Sequence, residues 1–250
     1  RVDPEDRILG VLEQQPELAS GWYFLGRAYM NMPEPDYEAA LEAFNEAVQI
    51  NPHRPGIRLY IGKIYEREGA YEQAIGTYQE EFRIRKGRDV QEVKLALGRV
   101  YYRDGQYEEA ISLLKPLVRD APAFAEALYY LGLAETEMEM YSEAIEHFQE
   151  ASDACQDYQS LHSRLEREET SIIQQRRKGL TQEYLAQHYG NAAHFIRELK
   201  LWPELNRAKG DAHMAAQQWT QARSAYRKML DRQKGGNPAD PEPDVLVAES

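Results

Sequence analysis

Lys94-Leu95-Ala96-Leu97-Gly98-Arg99-Val100-Tyr101-Tyr102-Arg103-Asp104-Gly105-Gln106-Tyr107-Glu108-Glu109-Ala110 carries two helix signals and the stop between them. Leu97 and Tyr101 stand four residues apart, and Gly98 lies beside them, so all three fall on one helical stripe. A glycine inside a helix costs about 1 kcal/mol relative to alanine. Close approach of a second helix, which a side chain would block, offsets that cost. Asp104-Gly105-Gln106 then ends the helix on a glycine suited to the left-handed conformation. Tyr107 opens the next helix as an aromatic wedge, and Ala110 supplies the small surface against which the first helix closes. The span predicts an antiparallel helical hairpin.

The same pattern returns three times. Trp22, Leu25, Gly26 and Tyr29 precede Tyr37, Ala40, Phe44, Ala47 and Pro52. Ile61, Gly62 and Tyr65 precede Tyr71, Ala74 and Tyr78, with Gly69 in the turn. Leu128, Leu131 and Gly132 precede Tyr141, Ala144, Phe148 and Ala151. The glycines are 36, 36 and 34 residues apart from Gly26 to Gly132. Such self-similarity is the signature of a stacked repeat. It resembles the tetratricopeptide repeat (TPR), a unit of 34 residues with a Trp-Leu-Gly-Tyr…Ala…Phe…Ala…Pro pattern. Two additional residues in the Met32–Pro35 turn and two near Lys86–Val90 account for the longer spacings. The resemblance covers residues 20–156 and implies an all-α fold: a right-handed superhelix, or α-solenoid, of antiparallel helix-turn-helix TPR hairpins.

The expected organisation is a capping helix in 1–19, four hairpins in 20–156 (about 20–54, 55–88, 91–124 and 125–158), and non-consensus helices in 157–200. A degenerate hairpin follows in 203–232, and a disordered acidic tail in 233–250. End repeats need a cover, and Asp3-Pro4-Glu5 reads as an N-cap with proline in the first turn. Tyr158, Leu161, Leu165, Ile172 and Ile173 form an apolar stripe that stops at Gly179. Thr181 is placed to cap the next helix, and Gly190-Asn191 to break it. Gly210, Trp219, Ala222 and Tyr226 restore the repeat spacing, with Lys209 in the leucine place, which predicts a terminal hairpin partly solvated on that side. The Gly-Gly-Asn-Pro run, Pro241 and Pro243 mark the tail.

Composition narrows the function. The net charge is −12, which disfavours nucleic-acid and anionic-membrane binding. Arg164, Arg167, Arg176, Arg177 and Lys178 are the only local support for a nucleic-acid site. No run of eighteen apolar residues exists, so no membrane span is expected, and no signal-peptide pattern follows Arg1. The sequence assigns no compartment beyond a soluble character. One cysteine, Cys155, excludes an internal disulfide framework, and no basic residue in 125–156 activates it. The six histidines show no metal spacing, and no phosphate loop or nucleophile elbow occurs. No enzyme, no cofactor and no metal site are expected.

The resemblance implies that the first helix of each hairpin lines a concave groove, with the positions one and five residues after each glycine pointing into it. These are Arg27 and Asn31, Lys63 and Arg67, Arg99 and Arg103, then Leu133 and Glu137. The expected partner-binding residues are therefore Arg27, Asn31, Lys63, Arg67, Arg99 and Arg103, joined by Tyr23, Tyr60, Tyr102, Tyr129 and Tyr130. A basic ladder of this kind receives an acidic peptide or helix of another protein. The competing reading is a solvated charged face paired locally with Glu66, Glu68 or Glu92. Some family members grip chaperone C-termini with a two-carboxylate clamp of lysine, asparagine and arginine. The matching places hold Tyr23, Arg27, Tyr60, Glu92 and Ala96 and do not reproduce it. The expected function is a protein-binding scaffold, adaptor or assembly factor. The alternative is a scaffold that self-associates into a larger assembly, as open superhelices do when their ends are poorly capped.

Overall fold

The computed structural model describes residues 4–85, 90–120, 125–167 and 201–234. Eleven helices and no strand lie among them: α1 (Pro4–Gln14), α2 (Ala19–Met30), α3 (Tyr37–Ile50), α4 (Ile57–Arg67), α5 (Tyr71–Arg85), α6 (Gln91–Arg103), α7 (Tyr107–Asp120), α8 (Ala125–Glu137), α9 (Tyr141–Arg167), α10 (Leu201–Ala215) and α11 (Trp219–Lys234). The chain divides into two compact units, Arg1–Leu113 and Leu114–Ser250, with the boundary inside α7.

Helix starts follow the repeat chemistry. The predicted wedge residues Tyr37, Tyr71, Tyr107, Tyr141 and Trp219 are the first residues of α3, α5, α7, α9 and α11. Asp36 caps α3 by accepting from the Ala39 amide at 2.9 Å, satisfying one of the helix's orphan N–H groups. The N-cap predicted at Asp3 lies outside the described residues.

Helix ends follow a shared turn. The amides of Ala70, Gln106, Met140 and Gln218 donate to the carbonyls of Tyr65, Tyr101, Glu135 and His213 at 2.8–2.9 Å, the six-to-one bond of the Schellman motif. The residue before each donor adopts the left-handed conformation. It is glycine twice, Gly69 (φ 76°) and Gly105 (φ 79°), but Glu139 (φ 61°) and Gln217 (φ 58°) in the last two turns.

In the first unit α1 covers α2, α2 pairs with α3, and α4 with α5. Successive hairpins stack through α3 on α4 and α5 on α6. One core gathers Ala40, Phe44, Ala47, Ile57, Ile61 and Ile64 between hairpins one and two. Another gathers Leu59, Ala74, Ile75, Tyr78, Val93, Ala96, Leu97 and Val100 between hairpins two and three. Leu12, Leu25 and Ala43 close the end under α1.

The small residues pack as their chemistry requires. A Cβ built on Gly26 would sit 2.7 Å from the Phe44 ring, and one on Gly62 would sit 2.3 Å from the Tyr78 ring. Each helical glycine thus exchanges its intrinsic cost for a buried aromatic, worth about 1.5–3 kcal/mol of apolar burial.

In the second unit α8 pairs with α9, α10 pairs with α11, and α10 packs on α9. Gly132 meets Phe148 and Gly210 meets Tyr226 in the same way. Residues 157–200 were expected to hold non-consensus helices. α9 runs on through the first of them to Arg167, and 168–200, with Thr181 and Gly190-Asn191, lie outside the described residues. So does the tail from 235. Lys209, expected on a partly solvated side, is half-buried and donates to Gln149 on α9. Burial and, secondarily, Lys228 lower its pKa, against a weaker opposing pull from Asp153.

Candidate functional site

On the first unit, the exposed sides of α2, α4 and α6 are joined by direct contacts between their polar and aromatic residues. Tyr23 of α2 and Tyr60 of α4 meet edge to face with ring centroids 5.7 Å apart. Arg27 lies over both rings, its guanidinium carbon 5.7 Å from each centroid. Arg54, from the loop before α4, covers Tyr23 at 5.1 Å, and the Lys63 ammonium stands 5.3 Å from Tyr60. The order is Arg54, Tyr23, Arg27, Tyr60, Lys63: cations alternate with rings. Each ring face attracts a cation by its quadrupole, at about 0.5–1 kcal/mol per exposed contact. Burial and the adjoining Tyr23 hydroxyl raise the pKa of Tyr60, so it remains a neutral phenol.

Four predicted residues, Tyr23, Arg27, Tyr60 and Lys63, are therefore brought together. The others are engaged differently. Arg99 donates to both oxygens of Glu66, Nε to Oε1 at 2.6 Å and Nη2 to Oε2 at 2.7 Å. Arg103 adds Nη1 to Oε1 at 2.8 Å, and the Tyr78 hydroxyl donates to Oε2 at 3.2 Å. Glu66 is buried, with 5% of its side chain accessible. Two predicted rungs of the ladder are thus tied to one carboxylate of the neighbouring hairpin, and the net charge of that group is +1. Burial, then the Glu66 carboxylate, holds the Tyr78 phenol protonated far above its usual range.

Lys63 also pairs with Glu92 across α4 and α6 at 3.0 Å, an exposed pair worth about 0–1 kcal/mol. Arg67 turns to the Tyr37 ring at 4.4 Å. Asn31 donates to the Arg27 carbonyl of its own helix at 2.6 Å. Tyr102 packs against Tyr107, centroids 5.9 Å apart. In the second unit Tyr129 and Tyr130 meet edge to face at 5.3 Å, and Tyr129 adjoins Phe148.

Two residues of the ring–cation array escaped sequence reasoning. Phe24 is 50% exposed and touches Tyr23 edge to face at 5.3 Å; its place two residues before Gly26 was the available signal. Arg54 stands in a loop, where no periodicity marks it. The array is unbalanced in charge. Among the described residues no carboxylate pairs with Arg27 or Arg54, and the buried Nε of Arg27 has no hydrogen-bond partner.

Away from this face the polar groups are structural. Glu81 is fully buried on α5; it accepts from the Gly56 amide at 2.6 Å and from Arg85 Nε at 2.7 Å. It thereby caps the N-terminus of α4, where a carboxylate favours the helix dipole. His147 meets the buried Glu135 through Nδ1 at 2.6 Å. Cys155 is buried. Among the described residues no group of three metal-ligating side chains converges, and no helix is long and apolar enough to cross a membrane.

Comparison with known proteins agrees with this architecture. Tetratricopeptide-repeat family models match residues 34–80 and 95–158. No curated protein sequence matches the chain. Among solved structures it is similar to MamA, residues 41 to the end, from Desulfovibrio magneticus RS-1, at 18% identity and a TM-score of 0.62, covering 88% of this chain and 97% of that one. It is similar to YrrB, described as a TPR protein with an unusual peptide-binding site, at 15% identity and a TM-score of 0.61, covering 93% and 95%. It is also similar to PilW, described as a widely conserved type IV pilus biogenesis factor, at 14% identity and a TM-score of 0.61, covering 93% and 84%. At these identities the likeness concerns the fold. The repeated glycine–aromatic contacts, the Tyr-initiated second helices and the two family matches identify residues 34–80 and 95–158 as tetratricopeptide repeats.

Proposed function

We propose that the protein is an interaction scaffold or assembly factor that holds a peptide or helix of another protein against the first helices of its hairpins. The observation that carries this reading is the ring–cation array on α2 and α4. A purely structural face pairs its cations with carboxylates, as Arg99 and Arg103 do with Glu66. Here Arg27 and Arg54 rest on tyrosines and keep hydrogen-bonding capacity for something else. Tyrosine and arginine are also the residue types enriched where partner proteins gain most of their binding energy. The net positive charge of the array favours an acidic partner segment. The family resemblance and the peptide-binding description of YrrB support the same class of activity.

The test places a photo-activated cross-linking residue at Tyr60 in the full chain, with a control at exposed Gln73 on α5, in cells that make the protein. Cross-links to another polypeptide from position 60, absent from position 73 and lost with Arg27→Glu, are expected. Equal cross-linking from both positions would overturn the assignment. Cross-links only between copies of the chain would establish the self-associating scaffold instead.

A further inference from the structure

We infer that the Arg27 site recognises a composite feature, one side-chain carboxylate beside one bulky apolar side chain, and that hairpins one and two read it alone. This rests on the reading that the first helices of the hairpins hold a partner segment, and it specifies which chemistry they select.

The carboxylate half follows from unmet donors. Arg27 rests against the rings of Tyr23 and Tyr60, 5.7 Å from each, so its guanidinium is braced on two sides and loses less freedom on binding. Its Nε is buried without a hydrogen-bond partner, and its terminal N–H groups, also unpaired among the described residues, are the donors left for a carboxylate. Arg54 lies on the Tyr23 ring at 5.1 Å, so a second guanidinium is near, also without an acidic partner among the described residues. Gathered like charges repel, and an incoming carboxylate relieves that repulsion while filling the donors.

The apolar half follows from Phe24. It is 50% exposed on a helix whose other large apolar residues are at least partly covered, and it borders Tyr23 at 5.3 Å. A leucine- or phenylalanine-sized side chain next to the acidic residue covers Phe24 while the carboxylate reaches Arg27. Burying such a side chain is worth about 1.5–3 kcal/mol. Lysine-rich segments are excluded by the same cations.

Restriction to the first two hairpins follows from the third. Arg99 and Arg103 are bonded to buried Glu66. A ligand that drew them away would leave that carboxylate unpaired, a change costing about as much as a typical binding contact gains.

The experiment selects a random twelve-residue peptide library displayed on phage against the full chain, then measures enriched peptides by fluorescence anisotropy. Enrichment of Asp or Glu adjacent to Leu, Phe, Ile or Trp is expected. Arg27→Gln and Phe24→Ala should each weaken binding about tenfold. Replacing the peptide's acidic residue by its amide should weaken binding to the native chain about tenfold and leave binding to Arg27→Gln unchanged. Circular dichroism confirms that the variants fold, and Arg83→Gln at an exposed position of α5 serves as the control. If peptides enrich without an acidic–apolar pair, or if Arg27→Gln retains full affinity, the composite site is wrong while the peptide-holding function stands. If no peptide enriches, both fall.

Discussion

Gly62→Ala and Gly76→Ala make the same chemical change on neighbouring helices and should move stability in opposite directions. On α4, the added methyl at Gly62 would meet three carbons of the Tyr78 ring at 2.3, 2.6 and 2.8 Å. Ordinary contact begins near 3.4 Å, so the ring must move by more than an ångström. It cannot move freely, because Tyr78 is fully buried and its hydroxyl is bonded to Glu66. Overpacking of this kind costs about 1–3 kcal/mol. Displacing the phenol from a charged acceptor adds about 1.5–3 kcal/mol, and the helix propensity of alanine returns about 1 kcal/mol. The net expectation is a loss of about 1.5–5 kcal/mol. On α5, a methyl at Gly76 meets nothing within 4 Å, so the propensity gain of about 1 kcal/mol stands alone. Urea titration followed by circular dichroism reads both as shifts of midpoint at constant slope. A Gly62→Ala midpoint at or above that of the native chain, or a Gly76→Ala midpoint below it, would refute the close-approach account of the repeat.

Glu66→Gln should cost about 3–5 kcal/mol, because it leaves Arg99 partly buried without its charge partner; urea titration of the full chain checks it. His147 gives a pH prediction. Burial lowers its pKa, but the Glu135 hydrogen bond and charge, with Glu150, overcome burial and the opposing Lys115, so the net shift is upward. A folded-state pKa above the unfolded value means that the added stability is complete below about pH 6.5 and is lost as pH rises through the folded value. The stability difference between the native chain and His147→Gln should therefore shrink as pH rises across that window, and proton NMR of the imidazole should show the raised midpoint. Glu139→Gly and Gln217→Gly should each stabilise by up to about 1 kcal/mol, since both positions hold left-handed backbone that costs a residue with a Cβ about 1–2 kcal/mol, less the greater entropy that glycine loses.

What the sequence disclosed, and what it hid, divides by range along the chain. Tyr37, Tyr71, Tyr107 and Tyr141 announced four helix starts because wedge, turn and small residue lie within a few positions of one another. Gly69 and Gly105 announced their turns for the same reason. The turns at Glu139 and Gln217 adopt the same backbone without glycine, so only the flanking helices revealed them. The face proposed to hold a partner was harder. Arg27 and Lys63, picked by position after the repeated glycine, stand beside tyrosines, whereas Arg99 and Arg103 are tied to Glu66, 33 and 37 residues away, as the competing reading of a locally paired face had it. Which charge meets which is decided by how one hairpin rotates on the next, and no local pattern encodes that rotation. Arg54 was invisible because loops carry no period.

The seating of α10 on α9 brings a kinetic asymmetry to the array. Asn51–Gly56, six residues, separate α3 from α4, whereas 33 residues, 168–200, separate α9 from α10. Contacts between segments far apart in sequence are the slower to form. The last hairpin is therefore the one whose arrival must wait for a diffusive search, while its predecessors zip onto their neighbours almost at once. Under load, heat or protease it should leave first and return last, giving the molecule a detachable end.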